Sequence, residues 1–382
     1  MKKRKHQYFL GIKGRTGSLL LLLSCILALL LISGCQDSPG DREVRKELSR
    51  LHKEISTLSQ KLVLMEPRDK LLPGKDVQIT GEVAQTVYLS AKDLARFECS
   101  EVRLNEVSRD GRYHGAFYYR GPTLRSLLEF AGIKKKAPDF NKDLDLAIVV
   151  KDKKGQKIVV SWGEIFYQNP SNIIIAFEAC PIIPHHEKSK IPKKYHSWLE
   201  QLEREVGFPK LVLACDFYSD RSLEGIASIE VVDLHPEVSQ EKQEVLFAPQ
   251  FTVSGYGVKS MSFDALPPIN RTEILFKEVG DGQGYHGLKL FEGVSLAQLL
   301  EEAGIQPDLD SAIILSAPDG YRTLLSYGEL FMSPAGKNII IGDMMAREKV
   351  KRRGCFFLVT PDDLSADRQV KSVQKIEVIS LR

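Results

Sequence analysis

Two histidines, His114 and His286, each stand directly before a glycine, at the same place in two related stretches of the chain. An imidazole there has two uses: it can hydrogen-bond a bound group, or it can satisfy a backbone carbonyl beside a tight turn. In the second stretch, Asp319-Gly320-Tyr321 and the basic run Arg347, Lys349, Lys351, Arg352 and Arg353 are further candidates. The Asp-Gly pair suits a hairpin turn, and the basic run suits a phosphate or a solvated loop. His185, His186 and His196, with Cys180, offer metal-ligating atoms at spacings that fit no zinc pattern, so no metal is expected. Cys99, Cys180, Cys215 and Cys355 contain no C-x-x-C spacing. Cys180 and Cys215 fit either one disulfide or two buried thiols. No nucleophile elbow, P-loop, dinucleotide fingerprint or zincin motif occurs, and no catalytic residue is assigned.

The elements that must position these residues come in two copies. Tyr113 to Ile133 reads YHGAFYYRGPTLRSLLEFAGI and Tyr285 to Ile305 reads YHGLKLFEGVSLAQLLEEAGI. Roughly half of the positions are identical without a gap, and the match extends back to Ser90 and Ser262. In each copy an alternating strand opens the unit, at Val77 to Gly81 and at Phe251 to Gly255. A helix follows Gly121 or Gly293, with Leu124, Leu127, Leu128 and Ala131, or Leu296, Leu299, Leu300 and Ala303, on one face. Ser295 with Gln298 predicts a capping box, Pro122 opens the first helix, and Gly132 and Gly304 end the two. Buried strands follow at Leu146 to Val150 and Ala312 to Ser316, then short helices in SWGEIF and SYGELF, then apolar strands at Ile173 to Ala176 and Ile339 to Gly342. The first copy is longer between Asn172 and Leu213 than the second between Asn338 and Thr360, and the extra residues hold His185, His186 and His196. Many strands with few short helices predict an α+β fold.

The 382 residues leave room for two domains and an export segment, and a net charge of +3 gives no reason to expect nucleic acid. A basic start, an apolar run from Ser18 to Ile32 and the small residues of Ile32-Ser33-Gly34-Cys35 describe a secretory signal. That ending resembles a bacterial lipobox. The resemblance implies cleavage before Cys35, lipid on Cys35, anchoring in the cell envelope and, with Gln36 following, sorting to the outer membrane. Val44, Leu48, Leu51, Ile55, Leu58, Leu62 and Met65 then form a heptad pattern. It serves either a coiled coil pairing chains through residues 44–65 or a helix lying on its own domain.

The Ser-x-x-x-Leu segment, the Gly-x-x-Leu-x-x-Leu-Leu-x-x-Ala-Gly helix, Asp319-Gly320-Tyr321, the SYGELF helix, Leu358-Val359-Thr360-Pro361-Asp362-Asp363 and Val370 to Val378 together resemble the molybdopterin-binding domain of the sulfite oxidase family. The resemblance covers most of the second copy and, more loosely, the first. It implies two tandem domains of mixed β-sheet and short helices, at 76–234 and 251–382, joined by a linker at 235–250 and preceded by a signal, 1–34, and a tether, 35–75. It also implies a molybdopterin cofactor, with His114, His286, Asp319, Tyr321 and Arg347 as candidate binding residues. In that family a cysteine thiolate ligates the molybdenum, a soft donor suited to the metal. The corresponding positions here read Asn105-Glu106-Val107 and Lys277-Glu278-Val279. Two functions are therefore expected to compete. One is a lipid-anchored binding or scaffold module with an unknown envelope partner. The other is a molybdopterin-dependent oxidoreductase with the cofactor in the second domain.

Overall fold

The structure, a computed structural model, describes residues 77–136, 138–182, 205–238, 245–280, 284–306, 308–349 and 355–382, with Glu47 and Arg50 ahead of them. The leader, Cys35, the extra histidines His185, His186 and His196, and all of the 44–65 pattern except those two residues lie outside the described set. Glu47 and Arg50 are helical, form an ion pair at 3.5 Å and belong to a unit, Met1–Asp69, separate from Lys70–Arg382. No helix among the described residues is long and apolar enough to cross a membrane.

In the larger unit the chain runs β1 (Val77–Gly81), β2 (Val87–Leu89), α1 (Ala91–Leu94), β3 (Cys99–Val107), β4 (Tyr113–Pro122), α2 (Leu124–Ala131), β5 (Leu146–Asp152), β6 (Lys157–Ser161), α3 (Trp162–Phe166), β7 (Ile173–Ala176), β8 (Glu178–Pro181), β9 (Lys210–Leu213) and β10 (Ile226–Asp233). The second copy runs β11 (Phe251–Gly255), β12 (Met261–Phe263), β13 (Arg271–Gly280), β14 (Gly284–Ser295), α4 (Leu296–Glu302), β15 (Ser311–Ser316), β16 (Arg322–Ser326), α5 (Tyr327–Phe331), β17 (Ile340–Met345), β18 (Glu348–Lys349), β19 (Phe357–Val359) and β20 (Lys375–Ser380). The molecule is thus mostly β-sheet with a few short helices, compatible with α+β.

The same five-stranded sheet forms twice, in the orders β2-β1-β10-β5-β6 and β12-β11-β20-β15-β16. In each, the opening strand pairs in parallel with the last strand of its copy, and the other pairings are antiparallel. The central strands are apolar at nearly every position because both faces of the sheet are covered. Leu146, Ile148 and Val150 of β5 join the first core with Leu124, Leu127, Leu128 and Ala131 of α2. Ala147 and Val149 face the other way, against Ala312 and Ile314 of β15, with Val159 and Leu324 beside them. The two sheets therefore share one apolar layer.

The helix ends differ from expectation at two places. Pro122 does not open α2; it ends β4, one residue before the Thr123 cap. Ser295 makes no side-chain cap on α4. It is the last residue of β14, paired with Ile340, so its side chain does not turn back, and the Leu296 N–H donates to the Ile339 carbonyl instead. The side-chain caps form elsewhere: Ser90 with Asp93 on α1, Thr123 on α2, Ser161 with Glu164 on α3, and Ser326 on α5.

Those last two caps also hold the copies together. Ser161 Oγ donates to Glu329 Oε2 at 2.7 Å, and Ser326 Oγ donates to Glu164 Oε1 at 2.6 Å. Arg221 binds Glu164 at 2.7 Å and both oxygens of Asp216 at 2.7 Å. Arg368 mirrors it, at 2.7 Å from Glu329 and at 2.7 and 2.6 Å from Asp363. Both arginines are fully buried. Each lies against the helix of the opposite copy at a glycine. A Cβ at Gly163 would run into the Arg368 guanidinium, and one at Gly328 into that of Arg221. Backbone bonds repeat the exchange: Leu364 N–H donates to Tyr167 O and Phe217 N–H to Met332 O, both at about 2.8–2.9 Å.

Candidate functional site

Glu106 of β3 and Glu278 of β13 occupy the same place in the two copies, beside the His-Gly pairs. Their side chains are 2% and 11% exposed. A buried carboxylate needs a counter-charge or donors, and each copy supplies a lysine. In the first, Lys210 of β9 pairs with Glu106 and lies 3.0 Å from Glu224. The Tyr119 hydroxyl donates to Glu106 at 2.7 Å, and the Lys210 ammonium sits 4.7 Å from the Tyr119 ring. In the second, Lys289 of β14 pairs with Glu278.

The two lysines come from different strands. Lys210 faces Ala176 across its ladder, where the second copy has Phe357 facing Gly342. Lys289 faces Phe276, where the first copy has Phe117 facing Leu104. A lysine and a phenylalanine have exchanged strands while the buried glutamate has stayed in place.

Glu106 and Lys210 floor a cleft of about 490 Å³ in the first copy. Its walls carry Ser108, His114, Ser219 and Ser222, with exposed Lys153 and Lys154 at the β5–β6 turn. The acids around it are engaged: Asp152 accepts from the Lys154 and Gln156 N–H groups at 2.8 Å, and Asp220 accepts from Arg109. The cleft thus offers hydroxyls, an imidazole and ammonium groups, a set suited to a small polar ligand. Among the described residues it gathers no set of three metal-ligating groups.

Of the residues expected from sequence, only His114 lines this cleft, half-buried, with Nε2 3.5 Å from Ser108 Oγ. His286 is exposed beside Gly280. What the His-Gly pairs share is the glycine. Gly115 has φ 125° and Gly287 φ 101°, left-handed values that glycine tolerates, next to a register shift in each ladder. Asp319 is exposed and its carboxylate accepts from the Tyr321 N–H at 3.0 Å, closing a turn. The Tyr321 hydroxyl donates to the Asp367 carbonyl, and burial pushes its pKa up. Arg347 is 76% exposed, on the turn between β17 and β18, 3.8 Å from Glu273. These three stand on turns of the second copy, and the first-copy cleft includes none of them.

A molybdopterin with its metal does not fit the cleft as the chain builds it. Of Asn105-Glu106-Val107, where the resemblance would put the thiolate, the residue that lines the cleft is Glu106, a hard oxygen donor already held by Lys210 and Tyr119. Among the described residues no cysteine lines the cleft. Cys180 and Cys215 are not bridged; both are free. Cys180 is exposed on β8 and so is not a buried thiol, while burial and Asp216 push Cys215 up to about 12.

The pairing under the cleft has a measurable weight. Lys210→Met keeps much of the aliphatic stem and leaves Glu106 buried without its ammonium. The change is expected to cost about 2 kcal/mol, most of it recovered when Glu106→Gln is added. Urea unfolding of the four chains checks this; strictly additive losses would mean the two groups do not interact.

No protein-family model matches the chain, and no curated protein matches it. Twenty chains of solved structures do, among them the crystal structure of the sulfane dehydrogenase SoxCD from Paracoccus pantotrophus. The likeness has a TM-score of 0.30 and 12% identity over 67% of this chain and 64% of that one, so this chain spans less than two thirds of its length. At that level, function has to be argued from the residues of this chain.

Proposed function

We propose that this protein is a lipid-anchored envelope module in which two sulfite-oxidase-like domains, 76–234 and 251–382, bind rather than oxidise, the first-copy cleft taking a small polar ligand. The observation that carries the reading is the glutamate–lysine pair where a molybdenum thiolate would stand. A carboxylate held by an ammonium gives neither a soft metal donor nor a redox group. Glu278 with Lys289 supports it further, since the second copy neutralises the same position by a different route.

The anchor rests on the sequence: a basic start, an apolar run and Cys35 behind Ile32-Ser33-Gly34. Acyl chains on Cys35 would hold the protein to the outer membrane. The heptad pattern at 44–65 would pair two chains there, and an envelope protein partner would complete the module.

One preparation tests both parts. The full chain is expressed in a host that makes molybdenum cofactor and extracted from membranes in detergent. Molybdenum is measured by mass spectrometry, released pterin by fluorescence and the N-terminal fragment by mass. The expected result is no molybdenum or pterin above background and a fragment that begins at Cys35 and carries acyl chains. About one molybdenum per chain would overturn the binding reading and restore the oxidoreductase. An unmodified N-terminus would remove the anchor.

A further inference from the structure

The structure also brings together Asp139, in the segment between α2 and β5, Asp233, which ends β10, and His235 just beyond it. We propose that these three residues bind one divalent cation of the zinc class. The site shares no residue with the cleft and does not depend on the function proposed for it.

The spacing is the first argument. His235 Nδ1 lies 3.4 Å from Asp139 Oδ1 and 3.8 Å from Asp233 Oδ1, and one ligand atom from each residue falls within 4.8 Å of the others. These separations exceed an ordinary hydrogen bond. Two donors each bound at about 2.1 Å to a tetrahedral ion stand about 3.4 Å apart. The chain holds the imidazole there through a turn in which His235 has φ 43° and its N–H donates to Asp233 Oδ1 at 3.3 Å.

The second argument is an oxygen without a donor. The Asp233 side chain is 2% exposed, and its Oδ2 is buried and accepts no hydrogen bond. The nearest cation, Lys135, is 3.4 Å away and already donates to Asp145 and to the Phe140 carbonyl. The oxygen is thus ion-paired with one shared ammonium and, among the described residues, accepts no hydrogen bond; a buried carboxylate so held leaves room for further positive charge.

Charge is the third. Asp139, Asp145 and Asp233, with Asp143 in electrostatic reach, face Lys135 and Arg322. Four carboxylates against two cations leave two negative charges, which one divalent ion would balance. A nitrogen and two oxygens favour zinc or a neighbouring transition metal over magnesium or calcium, which prefer oxygen alone. Asp139 is 36% and His235 51% exposed, so an ion can enter from solvent and keep a water ligand. Asp139 lies far in sequence from Asp233 and His235, and no spacing motif marks the three.

The full chain, without an affinity tag, is stripped with a chelator and titrated by calorimetry with Zn²⁺ and, separately, Mg²⁺. One Zn²⁺ per chain is expected, with Mg²⁺ much weaker. His235→Ala and Asp139→Asn should each weaken Zn²⁺ by about tenfold or more, since even changes outside the ligand set commonly cost that much. His286→Ala should change nothing. His235→Ala removes an exposed ring and so tests the site in a folded protein, which a thermal melt verifies. Absence of saturable Zn²⁺ binding, or equal affinity in His235→Ala, would overturn the proposal.

Discussion

Arg368→Ala is expected to destabilise the protein by about 3–5 kcal/mol, the usual cost of removing one partner from a buried ion pair. The arginine is fully buried and binds Glu329, Asp363 and the face of Gly163. Without it, two carboxylates remain in the layer between the copies, and no solvent reaches them to compensate. Arg368→Lys should recover little, because an ammonium cannot reproduce the two parallel bonds to Asp363 while also reaching Glu329. The midpoint of urea unfolding, taken with a probe in each copy, reads the effect. A loss under about 1 kcal/mol would mean the network does not hold the copies together.

Glu329 makes the same layer sensitive to pH. Burial first, then the nearby Glu164 and Asp363 charges, push its carboxyl up from the ordinary 4.5 to about 7, against the opposing pull of Arg368. In the unfolded chain the group loses its proton near its ordinary value. Between the two values the folded protein holds a proton that the unfolded chain has released. Stability from this group is therefore fully present below pH 4.5, falls as pH rises through 7 and is lost above it. The span corresponds to about 3 kcal/mol. Asp216, also raised by burial, acts in the same direction. Glu329→Gln removes the titrating proton while leaving an oxygen to accept from Ser161. Its unfolding free energy should vary less between pH 5 and pH 8 than that of the natural chain. An unchanged slope would place the pH dependence elsewhere.

The repeat made much of this legible beforehand. The α2 and α4 stripes fall on the expected residues, and the SWGEIF and SYGELF segments form helices where their serines begin them. The unbroken apolar run of β5 announced a strand covered on both faces. What covers its outer face could not be read, because nothing local distinguishes Ala147 and Val149, which meet the other copy, from Leu146 and Ile148, which meet their own core. The site was harder still. Glu106 could be placed by alignment, but Lys210 lies beyond the length difference between the copies, and its counterpart is a phenylalanine. The shared His-Gly drew attention to the histidines, whereas the backbone requires only the glycines.

The reciprocal bonds of Ser161, Glu329, Ser326 and Glu164 have the pattern of an isologous contact, in which each side offers the other the same surface. Here that pattern is closed within a single chain. A two-fold dimer comes apart on dilution; this one cannot, since its halves share a backbone. Covalent linkage also relaxes the constraint that symmetry places on a homodimer, where any substitution appears on both sides at once. Each half can then change its periphery while the centre keeps its pairing. One half carries Lys153, Lys154 and the cleft. The other turns Leu275 and Leu288 to solvent.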